Sequence, residues 1–385
     1  MAIDNKDKKI LNVPHLRFPE FSGEWKAEQL DNIATLSKGI GISKEQLSED
    51  GEPCILYGEL YTKYKSEIIK QVESKTDING SKLKRSKAND VIIPCSGETA
   101  VDIATARCVP FDNILFGGDL NVISLHQYDG AFMSYQLNGK RKYDIARVAQ
   151  GVSIVHLYGE HLKAIKTYNP TLPEQQKIAK LLSLLDDRID TQNKIIEDLK
   201  KLKSAISERL FKSVKGFTVL LSDLCDIVKG KQINGENLSD SGNYYVMNGG
   251  TEPSGYYDNY NVEASTISIS EGGNSCGYVQ FNTSPFWSGG HCYSIQNIAD
   301  KVDNMYLYHY LKSNEDAIMK LRIGSGLPNI QKKDLAMFKI IVPKIEWQIK
   351  ISTFLSSLER KAEIEERIQN VMQKQKLYLL QQMFI

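Results

Sequence analysis

The chain has 385 residues, of which 41% are hydrophobic and 25% are charged. This length suffices for two domains with separate cores, and the composition is that of a globular protein rather than a disordered or fibrous one. The formal net charge of +1 argues against a chain that holds nucleic acid alone through many phosphate contacts, because such proteins are usually clearly basic.

The first nine residues are polar and charged, and no later stretch reaches the ~20 apolar residues that a membrane-spanning helix needs. We therefore expect a cytoplasmic protein. The cysteines form no CxxC pair and no regular spacing, so neither a zinc site nor a disulfide framework is predicted. We expect reduced and mostly buried thiols at Cys54, Cys95, Cys108, Cys225, Cys276 and Cys292.

The first long region, residues 23–170, has the pattern of a β-rich domain. Its segments 90–95 and 120–125 are short β-branched or alternating runs bounded by Gly, Asn and Asp residues, which is typical of strands. A short helix is predicted at 131–138. Residues 1–22 are expected to form an amino-terminal tail before this domain.

A long helix is predicted over residues 171–215. From Ile178 onward, apolar residues recur every three or four positions, which is the pattern of a coiled-coil seam. Thr171 and Glu174 have the spacing of a capping box, and Pro173 suits the first turn of a helix.

The rest of the chain has the same organisation. Residues 216–343 are again β-rich, with strand patterns at 266–270 and 277–281 and a helix predicted at 304–321. A second long helix is predicted over 344–385. Its seam is weaker because polar residues interrupt it, namely Glu365, Gln369 and Lys376.

The two halves of the chain repeat each other at matching positions. The pairs that align are Lys38-Gly39 with Lys229-Gly230, Gly117-Gly118 with Gly289-Gly290, Gln175 with Gln348, and Leu210-Phe211 with Met383-Phe384. Two helices of about 58 Å each are too long to be buried by one small domain, so we expect them to pair with each other. The prediction is an α+β protein with two β-rich domains, two long antiparallel coiled-coil helices and a pseudo-twofold internal repeat.

The sequence contains no motif for catalysis. No phosphate-binding GxxxxGK[ST] loop is present, and the run from Lys38 to Lys44 lacks the GxGxxG spacing. Asn169-Pro-Thr-Leu172 resembles the NPP[FY] loop of adenine methyltransferases, but it directly precedes a helix start. His156 and His161 lack the spacing of a helical metal pair. No catalytic residue and no metal ligand is therefore predicted.

Two similar domains joined by paired helices suit a long repeating ligand, for which duplex DNA is the candidate. Charge gives limited support, because residues 1–170 contain 22 basic and 22 acidic residues and residues 216–343 contain 9 and 13. Partner proteins are therefore expected to supply much of the phosphate contact. For the candidate DNA contacts, solvated loops or ordinary turns are about equally good explanations. These candidates are Lys38, Lys82, Lys84, Arg85, Lys140, Arg141, Arg147, Lys229, Lys231, Asn248, Tyr256, Tyr257 and Asn329.

Over essentially its whole length, the chain resembles the specificity subunit of type I restriction-modification enzymes. The segments that carry the resemblance are Leu16-Arg-Phe-Pro-Glu-Phe21, Gln150-Gly-Val-Ser-Ile-Val-His-Leu157, Pro173-Glu-Gln-Gln-Lys-Ile178 and Gly277-Tyr-Val-Gln-Phe281 with Phe286-Trp287. The second copy of the helix motif departs to Glu346-Trp-Gln-Ile-Lys-Ile351. This departure makes the two partner-facing surfaces unequal.

The resemblance implies that both β-rich domains are target-recognition domains, each reading half of an asymmetric bipartite DNA sequence, and that the paired helices set the unread gap. It implies two modification subunits, which use S-adenosylmethionine to methylate adenine at N6, and two ATP-driven restriction subunits that require Mg²⁺. This chain itself is implied to hold no cofactor. The helix positions implied to mark the partner-binding surface are Gln175, Lys177, Ile178, Leu182, Leu185, Ile189, Ile351, Leu355 and Leu358.

Two other interpretations fit the sequence. A coiled-coil scaffold with two protein-binding domains would explain the repeat and the low charge, and a DNA-binding assay with and without a methyltransferase partner would distinguish it. The chain could also be the recognition part of a split nuclease-methyltransferase, a question that neighbouring genes would answer.

Overall fold

The computed structural model describes residues 11–79, 82–324, 326 and 328–385. It divides into two compact units. Unit 1 contains the residues up to Asn193 together with Ile368–Ile385, and unit 2 contains Lys194–Arg367. Each unit therefore combines one β-rich region with parts of both long helices.

Unit 1 contains twelve strands and seven helices among the residues described, the seventh helix continuing into unit 2. The strands are β1 (Lys26–Gln29), β2 (Ala34–Lys38), β3 (Glu52–Ile55), β4 (Lys75–Thr76), β5 (Lys84–Arg85), β6 (Asp90–Pro94), β7 (Ser96–Gly97), β8 (Arg107–Val109), β9 (Leu115–Phe116), β10 (Leu120–Leu125), β11 (Val155–His156) and β12 (Lys166–Asn169). The helices are α1 (Leu30–Ile33), α2 (Glu59–Thr62), α3 (Ala100–Ile103), α4 (Gly130–Asn138), α5 (Lys142–Val148), α6 (Gly159–Lys163) and α7 (Leu172–Ser213).

Unit 2 contains nine strands and four α-helices among its described residues, together with the end of α7. Its strands are β13 (Phe217–Leu220), β14 (Asp226–Lys229), β15 (Tyr244–Met247), β16 (Tyr256–Tyr257), β17 (Thr266–Ser270), β18 (Val279–Asn282), β19 (Trp287–Ser288), β20 (Cys292–Gln296) and β21 (Lys339–Val342). Its helices are α8 (Asn304–Ser313), α9 (Glu315–Met319), α10 (Lys332–Ala336) and α11 (Ile345–Gln382), which continues into unit 1.

The central sheet of unit 1 is antiparallel, with strand order β2-β10-β6-β8. All five residues of β6 are buried. Val91 and Ile93 face one apolar cluster, which includes Met133 of α4, whereas Ile92 contributes to a second cluster with Val122. Apolar packing on both faces explains why this strand is a continuous apolar run rather than an alternating one.

Unit 2 repeats that sheet, with strand order β14-β20-β17-β18. The register repeats as well, because β10 pairs Asn121 with Lys38 and β20 pairs Tyr293 with Lys229. A smaller sheet of β16-β15-β19 lies in the same unit. The internal repeat and the α+β class predicted from the sequence are confirmed.

Each long helix starts with the same buried glutamine contact. The Oε1 atom of Gln175 accepts a hydrogen bond from the backbone N–H of Asp129, the N-cap residue of α4, at 2.9 Å. The Oε1 atom of Gln348 accepts one from the N–H of Asp303, the N-cap residue of α8, at 2.9 Å. Both amide groups also donate to the carbonyl of the proline five residues earlier. The repeated glutamine therefore ties each helix start to a β-rich region.

The capping-box role expected for Glu174 is wrong. Its carboxylate accepts hydrogen bonds from Arg17 at 2.7 and 2.8 Å and from Trp25 Nε1 at 3.3 Å, and the residue is only 1% exposed. The amino-terminal segment packs on the first turn of α7, and its Arg17 and Trp25 side chains bind the Glu174 carboxylate. Spacing along one helix cannot reveal a partner that is 157 residues away.

The two long helices run antiparallel in both units, as predicted, because residue numbers fall along α11 as they rise along α7. The contacts are Lys376–Asp186 and Gln369–Asn193 in unit 1, and Lys203–Glu359 and Lys200–Glu366 in unit 2.

One polar contact between these helices is part of a buried ion cluster in unit 1. Lys376 Nζ lies 2.6 Å from Glu67 Oε2 and 2.7 Å from Asp186 Oδ1, and the Tyr135 hydroxyl donates to Asp186 at 2.7 Å. Burial raises the pKa of Glu67. Burial also opposes the charge on Lys376, but the two carboxylates outweigh it and raise the pKa of this lysine. Lys376, a polar residue in the coiled-coil pattern of α11, thus forms ion pairs with two buried carboxylates.

All six cysteines are buried free thiols, as expected. Among the residues described, no helix is long and apolar enough to cross a membrane.

Candidate nucleic-acid interface

Three neighbouring strands of the central sheet of unit 2 have ends that lie side by side. Strand β14 ends at Lys229, β17 is followed by Glu271, and β20 is preceded by His291. Because Lys229 pairs with Tyr293 and Ser270 pairs with Cys292, the residues next to these pairs are brought together. We call this region the strand-end site of unit 2.

Close backbone packing at this edge requires glycine. A Cβ atom on Gly230 would overlap the carbonyl oxygen of Gly289, and in unit 1 a Cβ atom on Gly39 would overlap the carbonyl oxygen of Gly117. Any side chain at either position would force the strands apart. This explains why the Lys-Gly and Gly-Gly pairs recur in both halves of the sequence.

The unit 2 site is centred on the Glu271 carboxylate, which is buried. Lys229 Nζ lies 2.6 Å from Glu271 Oε1, and the Tyr293 hydroxyl donates to the same oxygen at 3.0 Å. Burial and the neighbouring carboxylate raise the pKa of Tyr293. The backbone of Asn329 pairs with Gly272 beside this group.

Polar and aromatic groups extend the site along the same edge. The Asn248 side chain accepts a hydrogen bond from the backbone N–H of His291 at 3.1 Å. Trp287 Nε1 donates to the carbonyl of Lys231 at 2.9 Å, and its ring meets that of Tyr257 edge-on at 5.2 Å. The predicted residues Lys229, Lys231, Asn248, Tyr256, Tyr257 and Asn329 therefore belong to one continuous region of unit 2.

The equivalent strand ends of unit 1, at Lys38, Cys95 and Asp119, form the strand-end site of unit 1 and carry different side chains. Lys38 Nζ lies 5.8 Å from the centre of the Tyr158 ring, and Ser96 Oγ lies 3.3 Å from His156 Nδ1. Cys95 occupies the position of Glu271, and burial raises the pKa of its thiol to about 11. The two strand-end sites therefore share one backbone frame and carry unlike side chains.

The family model for the type I restriction modification DNA specificity domain matches residues 22–201 and 216–374. The chain belongs to this specificity-domain family. The two matches correspond to the two halves of the internal repeat.

Relatives with this name are found in several organisms. Two proteins named as type I specificity subunits, from Mycoplasma genitalium and Mycoplasma pneumoniae, are 34% identical over 122 residues and 32% over 145. These alignments cover 31% and 37% of this chain and only 31% and 38% of those two proteins. A type I restriction enzyme specificity subunit of Methanocaldococcus jannaschii is 24% identical over 420 residues, covering 96% of this chain and 94% of that one.

Two solved structures share the fold. The crystal structure of a type I restriction-modification S subunit from M. genitalium has a TM-score of 0.69 at 20% identity, covering 97% of this chain and 99% of that one. A structure from a study of complex assembly in a type I system has a TM-score of 0.58 at 16% identity, covering 96% and 99%.

The three arginines among the predicted DNA contacts of this specificity-domain protein have partners within the chain. Both terminal nitrogens of Arg85 bind Glu52, at 2.6 and 3.0 Å. Arg141 donates to the carbonyl of Ile385 at 3.0 Å and pairs with Asp144, which also binds Arg147. Arg85, Arg141 and Arg147 thus have partners within the chain, and their assignment to DNA stays a prediction. Lys82, Lys84 and Lys140 remain predictions.

The helix residues chosen to mark the partner surface mostly hold the helices in place. Ile178 and Leu182 are buried in unit 1, and Ile351 and Leu355 are buried in unit 2. Gln175 is buried as well, Lys177 pairs with Glu20, and Leu185, Ile189 and Leu358 are partly exposed. The same helices also carry exposed apolar residues, which include Leu184, Ile195, Leu202, Trp347, Phe354, Val371, Leu377 and Tyr378, and the partner-binding surface stays a prediction.

Glu271 and His291 were missed from the sequence, although a signal was present. Glu271 directly follows a predicted strand, and His291 directly follows the repeated Gly-Gly pair. Their counterparts in unit 1 are Cys95 and Asp119. When the two halves of the sequence are aligned, candidate site residues are those that follow or precede a predicted strand and differ between the two copies.

Proposed function

We propose that this chain is the DNA-recognition subunit of a type I restriction-modification complex. In this proposal each unit reads one half of a bipartite target, and partner subunits methylate adenine at N6 or cleave the DNA. S-adenosylmethionine, ATP and Mg²⁺ are placed on two modification and two restriction subunits, and none of them on this chain.

One observation carries the proposal, namely that the strand-end sites share a backbone frame and differ in side chains. Lys38 and Lys229 occupy equivalent positions, whereas Cys95 stands where the other unit has Glu271. A scaffold for two copies of one partner would favour two similar surfaces. Reading two unlike half-sequences requires two different ones.

The near-neutral charge of the chain supports a role for partners in phosphate contact. A protein that neutralises many phosphates releases counterions and binds DNA with a steep salt dependence. With 9 basic and 13 acidic residues in 216–343, this region is poorly suited to hold DNA by charge alone. We therefore expect specific binding only when the modification subunits are bound.

Expression with the modification subunit in a host without DNA methylation tests the proposal. We expect N6-methyladenine at one bipartite motif in long-read methylome sequencing, and retention of a duplex containing that motif by the purified complex. Cells that express the modification subunit alone serve as the control. Absence of any specific motif, together with failure to retain duplex DNA, would favour the scaffold interpretation.

The proposal also assigns the unread gap to the paired helices. A matched insertion of seven residues, between Asn193 and Lys194 in α7 and between Arg367 and Ile368 in α11, keeps the contacts within each unit. It lengthens each helix by about 10 Å, which is no more than about three base pairs at 3.4 Å each. We expect methylome sequencing to report a longer gap with both half-sites unchanged.

The control for this experiment carries the insertion in α7 only. The helices then lose their register, so we expect methylation to fall sharply. A matched insertion that supports methylation at the original gap length would contradict the assignment of the gap to the helices.

A further inference from the structure

The Glu271 carboxylate has one oxygen that is left without a partner. The residue is 7% exposed, and Oε1 receives both Lys229 and the Tyr293 hydroxyl. Oε2 accepts no hydrogen bond from any residue that the structure describes. A buried carboxylate oxygen without a donor is energetically costly, so the site is incomplete as it stands.

The His291 ring lies close to this oxygen. Its Nδ1 atom lies 3.8 Å from Glu271 Oε2, while 63% of the side chain is exposed. The backbone of His291 is fixed on both sides, because its N–H donates to Asn248 and its carbonyl accepts from the N–H of Glu271 at 2.9 Å. A small rotation of the ring would bring Nδ1 within hydrogen-bond distance.

Glycines next to the ring keep its surroundings open. A Cβ atom on Gly249 would lie 3.1 Å from His291 Cβ, and one on Gly272 would lie 3.9 Å from His291 Nδ1. A Cβ atom on Gly249 would press on the backbone and Cβ of His291, whereas one on Gly272 would make only an ordinary van der Waals contact with the ring. The loops thus approach the backbone and Cβ of His291, while the ring itself faces solvent.

We propose that His291 is a specificity-determining residue that contacts a base edge in the half-site read by unit 2, and that Glu271 is its positioning residue. Glu271 Oε2 accepts the Nδ1–H of His291, which fixes the tautomer with Nε2 as a hydrogen-bond acceptor. Such an acceptor recognises an exocyclic amino group, which adenine offers at N6 and cytosine at N4 in the major groove. This inference rests on the proposed function.

A metal site is the other use of a Glu–His pair, and the contacts disfavour it. Lys229 already places a positive charge on the Glu271 carboxylate, which would repel a cation. Among the residues that the structure describes, no group of three or more His, Cys, Asp and Glu side chains could hold a metal ion. Unit 1 has Cys95 and Asp119 at the two equivalent positions, so the dyad belongs to unit 2 alone.

The test uses the complex with its modification subunits and compares wild type with H291A. We expect H291A to relax one position of the half-site read by unit 2 in the methylome, and to weaken binding of the native duplex roughly five- to tenfold. A duplex in which an analogue removes the amino group at that position should weaken wild-type binding by the same factor. It should cause no further loss for H291A.

Variants of the positioning residue separate orientation from simple stability. E271A is expected to relax the same position as H291A, whereas E271Q retains an acceptor oxygen and should preserve most of the discrimination. A structural role alone would weaken binding to all duplexes equally. D300A, an exposed residue beyond the opposite end of β20, is the matched control and should behave as wild type.

The outcomes distinguish this inference from the proposed function. If wild type methylates a bipartite motif and H291A remains strict at every position, the inference is overturned and the proposed function stands. If wild type recognises no specific motif, the proposed function fails first. Should H291A fail to assemble, H291Q, which keeps an acceptor atom, is compared with wild type on the same two duplexes. The inference is supported if H291Q binds the native duplex as tightly as wild type does and loses the same factor on the duplex that lacks the amino group.

Discussion

Replacing residues 216–343 with the same region of another specificity-family protein is expected to exchange one half of the methylated sequence completely. The reason is that Lys229, Glu271 and His291 all lie within this region, and the strand-end site of unit 1 contains none of its residues. Methylome sequencing of cells that express the chimera with the modification subunit measures the result directly. The half-site read by unit 1 should be unchanged.

The boundaries of the exchange matter for this result. Gln348 binds the backbone of Asp303 and Lys301 inside the exchanged region, so the donor must supply a residue other than proline at the position of Asp303, because the contact needs a backbone N–H. A reciprocal exchange of 23–170 is the matched control and should alter the other half-site. A chimera in which both halves change would contradict independent reading by the two units.

Replacing Lys376 with methionine is expected to destabilise unit 1 by about 3–5 kcal/mol, the usual cost of leaving buried charges unpaired. Lys376 is the cation between Glu67 and Asp186, whose side chains are 9% and 5% exposed. Methionine fills a similar volume but leaves the two carboxylates facing each other. Urea unfolding followed by hydrogen exchange in peptides of unit 1 gives the change in the free energy of unfolding.

Two controls identify the cause of that effect. Lys203 is the equivalent lysine in unit 2, but it pairs with one acidic residue, Glu359, and both side chains are more exposed, so K203M should cost less. Adding E67Q and D186N to K376M removes the buried charges and should restore part of the lost stability. Equal urea midpoints for K376M and wild type would show that the cluster contributes nothing.

The sequence was sufficient to predict the elements whose signals are local. The apolar runs at 90–95, 120–125 and 266–270 became central strands, and the heptad pattern from Ile178 became α7. Repetition supplied the rest of the architecture, because matching positions imply matching structures. The strand and heptad patterns depend on residues within a few positions of each other, so one sequence is enough to detect them.

Other features could not be predicted because their partners are distant. Lys376 is a polar residue at a position of the heptad pattern where an apolar residue is expected. It is equivalent to Lys203 in the internal repeat, and each lysine binds an acidic residue on the facing helix. Arg141 belongs to a basic cluster in the sequence but binds the carbonyl of Ile385, 244 residues away. Composition and spacing count charges and do not show which of them are already paired.

Several of the helix residues predicted to mark the partner surface are buried within the chain itself, for a related reason. A heptad pattern identifies the apolar face, and the apolar face of α7 at Ile178 and Leu182 packs into unit 1 itself. The residues that stay exposed, such as Leu184 and Trp347, lie outside that pattern. Periodicity predicts which residues are buried but not by which protein.

The division of unit 1 into two chain segments has a consequence for biosynthesis. Met383 and Phe384 pack against Trp25 and Phe132 in the core of unit 1, whereas unit 2 is one uninterrupted segment. A ribosome therefore translates all of unit 2 before it delivers the residues that close unit 1. Until then Trp25 and Phe132 lack part of their apolar cover, so the half of the protein that is made first is the half that must wait to finish folding.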